Sequence, residues 1–145
     1  MKLYIGSDHA GYEMKSQIVN YLKSQSYDVE DVGTYSSESV DYPDYAFKVG
    51  EAVARDSQSL GILICGTGFG MCFAVNKVKG IRAVDVVRAD MAPLSRQHNN
   101  ANVLCLSGRY VNFNDNINII NAFLKASYEG GRHQKRIDKI SEYEK

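Results

Sequence analysis

Leu60 to Lys77, LGILICGTGFGMCFAVNK, joins an apolar run to a glycine-rich corner and then to a helical pattern. Ile62, Leu63 and Ile64 form a short branched run with no polar residue between them, which suits a strand covered on both faces in a parallel sheet. Cys65 falls at the C-terminal end of that strand. Gly66, Gly68 and Gly70 let the backbone turn tightly and approach a ligand closely. The helix that follows aims its unpaired amides back at the same place. The corner therefore offers a thiol, in surroundings of the kind that favour thiolate, and a cradle for an oxyanion.

Around this stretch the chain alternates strand and helix. Lys2 to Gly6 reads as a strand whose C-terminal edge is Ser7, Asp8 and His9. Ala10 to Ser24 has helical spacing at Met14, Ile18, Tyr21 and Leu22. Asp28 to Val32 is a weaker second strand, and Gly33 to Asp41 a serine-rich loop. Asp41 is expected to cap a helix over Tyr42 to Arg55, with Pro43 in its first turn and Tyr45, Val49, Ala52 and Val53 inward. Gly80 is expected to end the helix after the corner, and Ile81 to Val87 to form strand four. Asp90 and Pro93 mark a helix running to about His98, and Asn102 to Leu106 is strand five. Asn114 to Tyr128 and Arg132 to Tyr143 are two further helices, broken apart by Gly130 and Gly131, with Ile137 and Ile140 as the apolar stripe of the last. Five strands with intervening helices predict an α/β fold of three layers, a doubly wound, Rossmann-like five-stranded parallel sheet.

Residues 1–145 fit one domain, and at that length roughly 68 to 70% of the unfolded chain's surface would be buried. Seventeen basic and seventeen acidic side chains cancel, so the chain lacks the footprint of a nucleic-acid binder and any anion site must be local. Cys65, Cys72 and Cys105 have no C-x-x-C spacing and lie in or beside apolar runs, which argues for reduced thiols in a cytoplasmic protein. No apolar run approaches membrane-spanning length, so no membrane partner is expected.

In an open α/β sheet the ligand crevice lies outside the C-terminal ends of the strands. Asp8 and His9, then Cys65, Gly66 and Thr67, then Gly108 and Arg109 are therefore expected to share one mouth. Each has a plainer reading. Asp8 is also a good helix cap, Cys72 and Cys105 read as core, and His98 suits a solvated helix C-terminus. Arg132 and Arg136 lie four apart, on one face of a helix, with no acidic residue between them. Such a pair is suited to bidentate capture of phosphate, although exposed arginines on a last helix commonly serve solubility. The glycines give G-x-G-x-G, since Met71 stands where a dinucleotide fingerprint needs glycine, and Asp85 is left as the only support for such a site. Asp8, His9, His98 and His133 make no paired metal-ligand pattern, so neither metal nor cofactor is expected.

GSDHAG at 6–11, DYP at 41–43, ICGTGFG at 64–70, NKVKGIRA at 76–83, SRQHNNANV at 95–103 and YEGGRHQKRI at 128–137 resemble, in order and along nearly the whole chain, the family of ribose-5-phosphate isomerases B and galactose-6-phosphate isomerase subunits. The resemblance implies a metal-free aldose–ketose isomerase acting through an enediolate, with Cys65 as the base between C1 and C2. It implies that His98 opens the sugar ring and that Asp8 holds the ring-oxygen region. The backbone of Gly66, Thr67, Gly68, Phe69 and Gly70, with the Thr67 hydroxyl, would hold the enediolate, and Asn99 would bind substrate. His9, Arg109, Arg132 and Arg136 would gather the phosphate. Family members are dimers or tetramers with shared sites, so His98 and Arg109 are expected to serve a neighbour's pocket. Part of the family uses a glutamate just after the last glycine as base; Met71 stands there in this chain.

Three other readings stand beside ribose 5-phosphate isomerisation. They are isomerisation of a six-carbon aldose 6-phosphate (allose or galactose), a non-catalytic phosphosugar or nucleotide sensor, and a nicotinamide-dependent reductase using Asp85. Having Cys65, His98 and both arginines in one chain favours a homo-oligomeric enzyme for the five-carbon substrate.

Overall fold

A computed structural model describes all 145 residues. Five strands, β1 (Lys2–Ser7), β2 (Asp28–Asp31), β3 (Leu60–Cys65), β4 (Ala83–Asp85) and β5 (Val103–Ser107), form one sheet in the order β2-β1-β3-β5-β4. Every pairing is parallel. The helices are α1 (Tyr12–Ser24), α2 (Tyr42–Arg55), α3 (Phe69–Val75), α4 (Ala92–Asn99), α5 (Phe113–Lys125) and α6 (Gln134–Glu144), the last preceded by a 3-10 turn, Gly131–His133. This is the expected three-layer doubly wound α/β architecture.

The two faces of the sheet bury separate cores. Leu3, Ile5, Ile62, Ile64, Leu104 and Leu106 pack against Ile18 and Leu22 of α1, Ala92 of α4 and Ile117, Ile120 and Phe123 of α5. Leu63, Cys65, Val103 and Cys105 pack on the other side against Ala46, Val49 and Val53 of α2 and Met71 and Val75 of α3. β3 lies in the middle, and all six of its residues are buried. Burying a branched side chain contributes on the order of 1.5–3 kcal/mol, so β3 is anchored far more firmly than its loop ends require.

Several local expectations change. β4 is three residues long, not seven: Arg82 turns its backbone N–H to the Asn102 side chain at 2.8 Å, which pulls that end off the ladder. α3 ends at Val75, before Gly80, because Asn76 caps it and its side chain bonds the backbone of Cys72 and Ala83. Asp41 precedes α2 without a side-chain cap bond, and Asp90 pairs with Arg88 at 2.6 Å rather than capping α4. The last helix begins at Gln134, with Arg132 in the 3-10 turn before it; Ile137 is buried but Ile140 is exposed. No helix is long and apolar enough to cross a membrane.

Lys15, on α1, is fully buried and its Nζ lies 2.6 Å from Asp31 of β2, which also accepts the Gly33 N–H at 2.9 Å. Gly33 and Thr34 then bond Ser7 at 2.8 and 2.9 Å, tying the serine-rich loop to the C-terminal end of β1.

Candidate active site

The chain passes from β1 to β2 on one side and then returns to β3 on the other, so the strand order reverses between β1 and β3. A doubly wound sheet opens its crevice at such a reversal. The ends of β1, β3 and β5 meet there. Asp8 donates its backbone N–H to Ile64 at 3.3 Å, Gly108 to Cys65 at 2.8 Å and Arg109 to Gly66 at 3.2 Å. Ser107, buried and absent from the sequence-based candidates, donates its hydroxyl to the Gly66 carbonyl at 2.7 Å and accepts from the Tyr110 N–H at 3.0 Å. The only signal for it is a small polar residue ending an apolar strand.

Cys65 is 6% exposed and faces the α2–α3 side, where its Sγ accepts the Gly68 N–H at 3.1 Å. That bond is possible because Gly68 sits at φ +87°, a conformation glycine adopts without cost. A donor aimed at the sulfur stabilises negative charge on it. The Phe69 N–H goes to the Thr67 hydroxyl at 3.1 Å. Gly66, Thr67, Gly70 and Met71 find no acceptor for their amides within the chain. Four free N–H groups therefore surround the corner, while two of the expected cradle amides are already engaged. Met71 itself is fully buried in the core.

Asp8 is buried, and its Oδ1 accepts the Gly11 N–H at 3.0 Å; Gly11 rather than Asp8 is the N-cap of α1, so the bond fixes the turn before the helix and is not a helix cap. His9 accepts the Val40 N–H at Nδ1 (3.1 Å), which puts the proton of its neutral ring on Nε2. Arg109 is exposed and lies along its own chain's Gly66, where an added Cβ would come 3.4 Å from its Cδ and Nη1. His9, Gly108 and Arg109 line a cavity of about 290 Å³. The largest cavity, about 450 Å³, lies at the opposite end of the strands beside Met1, Leu60 and Asn102, away from this chemistry.

The remaining candidates form a second group. Gln97 of α4 accepts the Glu129 N–H at 3.0 Å, and the His98 and His133 rings stack 4.8 Å apart at 20°. Burial, and then the neighbouring Arg132, push the His133 imidazole below its ordinary pKa. Arg132 and Arg136 are exposed and form no ion pair. None of His98, Arg132 and Arg136 lines the cavity at Arg109. Asn99 is exposed and, with Asp85, borders an apolar cavity of about 340 Å³. The structure thus brings Cys65, Gly66–Gly70, Asp8, His9 and Arg109 together and sets His98, Arg132 and Arg136 apart from them.

His98, Glu129 and His133 offer ligand atoms within 4.8 Å of one another, a cluster that spacing alone did not reveal. Nearly parallel rings keep their lone pairs in separate planes, so the pair does not converge on one cation as it stands. Asp85 differs from the ribose ligand considered for it. Both its oxygens are occluded and unpaired, and they press on Gly68, leaving no face for a diol.

The family model described as Ribose/Galactose Isomerase matches residues 3–140. The chain is 54% identical over 145 residues to the probable ribose-5-phosphate isomerase B of Mycoplasma genitalium, covering 99% of this chain and 95% of that protein. Among solved structures, the ribose-5-phosphate isomerase B of Clostridium thermocellum superposes with a TM-score of 0.97 at 49% identity, covering 99% and 97% of the two chains. That of Mycoplasma genitalium, with bound ribulose-5-phosphate, gives 0.95 at 53% identity, covering 99% and 95%.

Proposed function

This chain belongs to the ribose/galactose isomerase family, and on that premise we propose that it interconverts D-ribose 5-phosphate and D-ribulose 5-phosphate by proton transfer through an enediolate. The observation that carries the reading is the corner at the end of β3, where a sulfur holding one N–H bond sits among four amides with no other acceptor. Aldose–ketose isomerisation needs a base on carbon and donors for the charge that builds on the neighbouring oxygen.

In this reading the Cys65 thiolate takes the proton from one of the two carbons and returns it to the other. The amides of Gly66, Thr67 and Gly70 receive the enediolate oxygen, and the second carboxylate oxygen of Asp8 faces the ring-oxygen end. His9 Nε2 and Arg109 bind phosphate. Met71 is buried and carries no group that can take a proton.

His98, Arg132 and Arg136 complete the pocket of a neighbouring copy, so the working enzyme is a homodimer or homotetramer. An exposed arginine pair without partners in its own chain supports this assignment. Three cysteines left as free thiols support a reducing, cytoplasmic setting for the enzyme. Turnover of ribose 5-phosphate, allose 6-phosphate and galactose 6-phosphate, with exchange of the substrate C2 hydrogen into solvent, tests the proposal. The five-carbon sugar should give the highest kcat/KM. Tight binding of any of the three without C2 exchange would make the protein a sensor instead.

A further inference from the structure

Asp85 ends the short edge strand β4 and carries a carboxylate that the mechanism above does not use. Both oxygens are shut off from solvent, and neither has a hydrogen-bond partner. They lie over Gly68: a Cβ built there would meet Oδ1 at 2.5 Å, Cγ at 3.0 Å and Oδ2 at 3.1 Å. The N–H of the same Gly68 is the one that bonds Cys65 Sγ. One peptide unit thus separates an unsatisfied carboxylate from the sulfur.

No cation compensates it. Cys72 of α3 and Cys105 of β5 are the titratable groups whose negative charge Asp85 opposes, and Cys65 at the end of β3 belongs to the same buried cluster as Cys105. α4 contributes Ser95 and Asn99 to the adjoining cavity, and Arg88, also on that cavity, is paired with Asp90. Burial alone pushes the Asp85 carboxyl up to about 6. A negative charge here raises the cost of negative charge on both neighbouring thiols, Cys72 and Cys105. Lying over Gly68, whose N–H bonds the sulfur, it also stands within Coulomb range of any charge built at the Cys65 corner.

We infer that Asp85 is a positioning residue whose proton belongs to the competent form of the site: with the carboxyl protonated the Cys65 corner accepts negative charge freely, and with it ionised the corner resists. This deepens the isomerase reading and rests on it for the identity of the reaction, but the charge coupling is measurable without any sugar.

The test is the rate of Cys65 alkylation by iodoacetamide, followed at the Cys65 peptide by mass spectrometry, in the full chain and in Asp85→Asn and Asp85→Leu from pH 5 to 8. The ratio of variant to wild type should be near one at pH 5 and rise with a midpoint near 6 to a plateau of about tenfold. Both variants remove the charge and only asparagine keeps the polar shape, so a shared rise is electrostatic. kcat/KM for ribose 5-phosphate should show the same ratio profile. A flat or falling alkylation ratio in whichever variants fold would overturn the inference. A wild type that does not turn over the sugar would instead overturn the isomerase reading and leave the alkylation result to decide the role of Asp85.

Discussion

The Cys65 corner and the His98–Arg136 arm are assigned to one reaction, yet they are built in opposite ways. The corner is held by main chain: three strand ends bond to one another, Ser107 clamps Gly66, and the sulfur is 6% exposed. The arm is held by a histidine stack, one buried isoleucine and single hydrogen bonds from Glu129 to Gln97 and from Gly80 to Glu144, with its arginines in solvent and unpaired. Groups that must meet a developing charge within a fraction of an ångström belong on rigid backbone. A phosphate carries its charge from the start, and long side chains on a less confined element suffice to find it. On the proposed assignment, the contrast is between a chemical corner complete within one chain and a phosphate grip that needs a second.

The largest expected effect breaks the corner at its reacting atom. Cys65→Ala removes the proposed base, and general-base contributions run to about a hundred- to ten-thousandfold, so kcat should fall by roughly a thousandfold or more. Binding of ribulose 5-phosphate, followed by calorimetry, should persist. Near-normal turnover would mean that another group moves the proton.

Next is the backbone. Gly68→Ala forces a Cβ onto a residue at φ +87° and into the Asp85 carboxylate 2.5 Å away. The loop must shift and the Gly68 N–H leave the sulfur. Losing one preorganised donor lowers rates by about a hundred- to a thousandfold, and kcat should fall in that range with little change in far-UV circular dichroism. Gly130→Ala is the control on the arm side: φ is also positive, at +67°, but no atom lies within 4 Å of the added Cβ. It should lower stability while leaving kcat within a few fold.

These two glycines show how far the residues could be read in advance. β3 and its corner were legible because a branched apolar run ending in cysteine and alternating glycines satisfies several constraints at once. Strand–helix alternation is legible along the whole chain, but the strand order, and with it the reversal between β1 and β3, is not. What stayed hidden depended on partners distant in sequence. Asp85 reads as an ordinary acidic residue until the fold brings it over Gly68, seventeen positions back in the chain. The Lys15–Asp31 pair looks like two surface charges in a helix and a weak strand. The extent of β4 is not legible in its own residues, because the Asn102 side chain, just before the partner strand, takes the Arg82 N–H in place of a ladder carbonyl. The stacking of His98 on His133 joins two segments whose relation no local pattern encodes.

The arm is sharpened by complementation. Arg132→Ala and Arg136→Ala should each raise KM for ribose 5-phosphate about tenfold with a smaller change in kcat, since phosphate contacts chiefly bind and orient. If the arm serves a neighbour, subunits of Cys65→Ala mixed after unfolding with subunits of Arg132→Ala will form hybrids with one intact site and one doubly altered site. In a two-fold dimer about a quarter of wild-type activity should return at equal mixing. No recovery above the sum of the two parents would place both halves of the site in one chain.

The smallest effect concerns stability and runs through the corner alone. The Asp85 carboxyl sits at about 6 in the folded chain against an ordinary 3.8, so folding favours its protonated form. Its contribution is fully present below pH 3.8 and is lost as pH rises through about 6. Above that, the folded protein carries an unpaired carboxylate that the unfolded chain would leave in water. The residue is only half-buried, so solvent screening reduces the cost to about 1 kcal/mol. Asp85→Asn should therefore match wild type in denaturant midpoint below about pH 4 and exceed it by about 1 kcal/mol at pH 8, the gap opening between about pH 4 and pH 6 and constant above that. Lys135→Gln, an exposed substitution on the arm, should show no such gap, because a solvated charge costs the same folded and unfolded. Equal pH profiles for Asp85→Asn and wild type would mean that the carboxylate finds a partner in solution, and the corner would then hold no charge in reserve against its own sulfur.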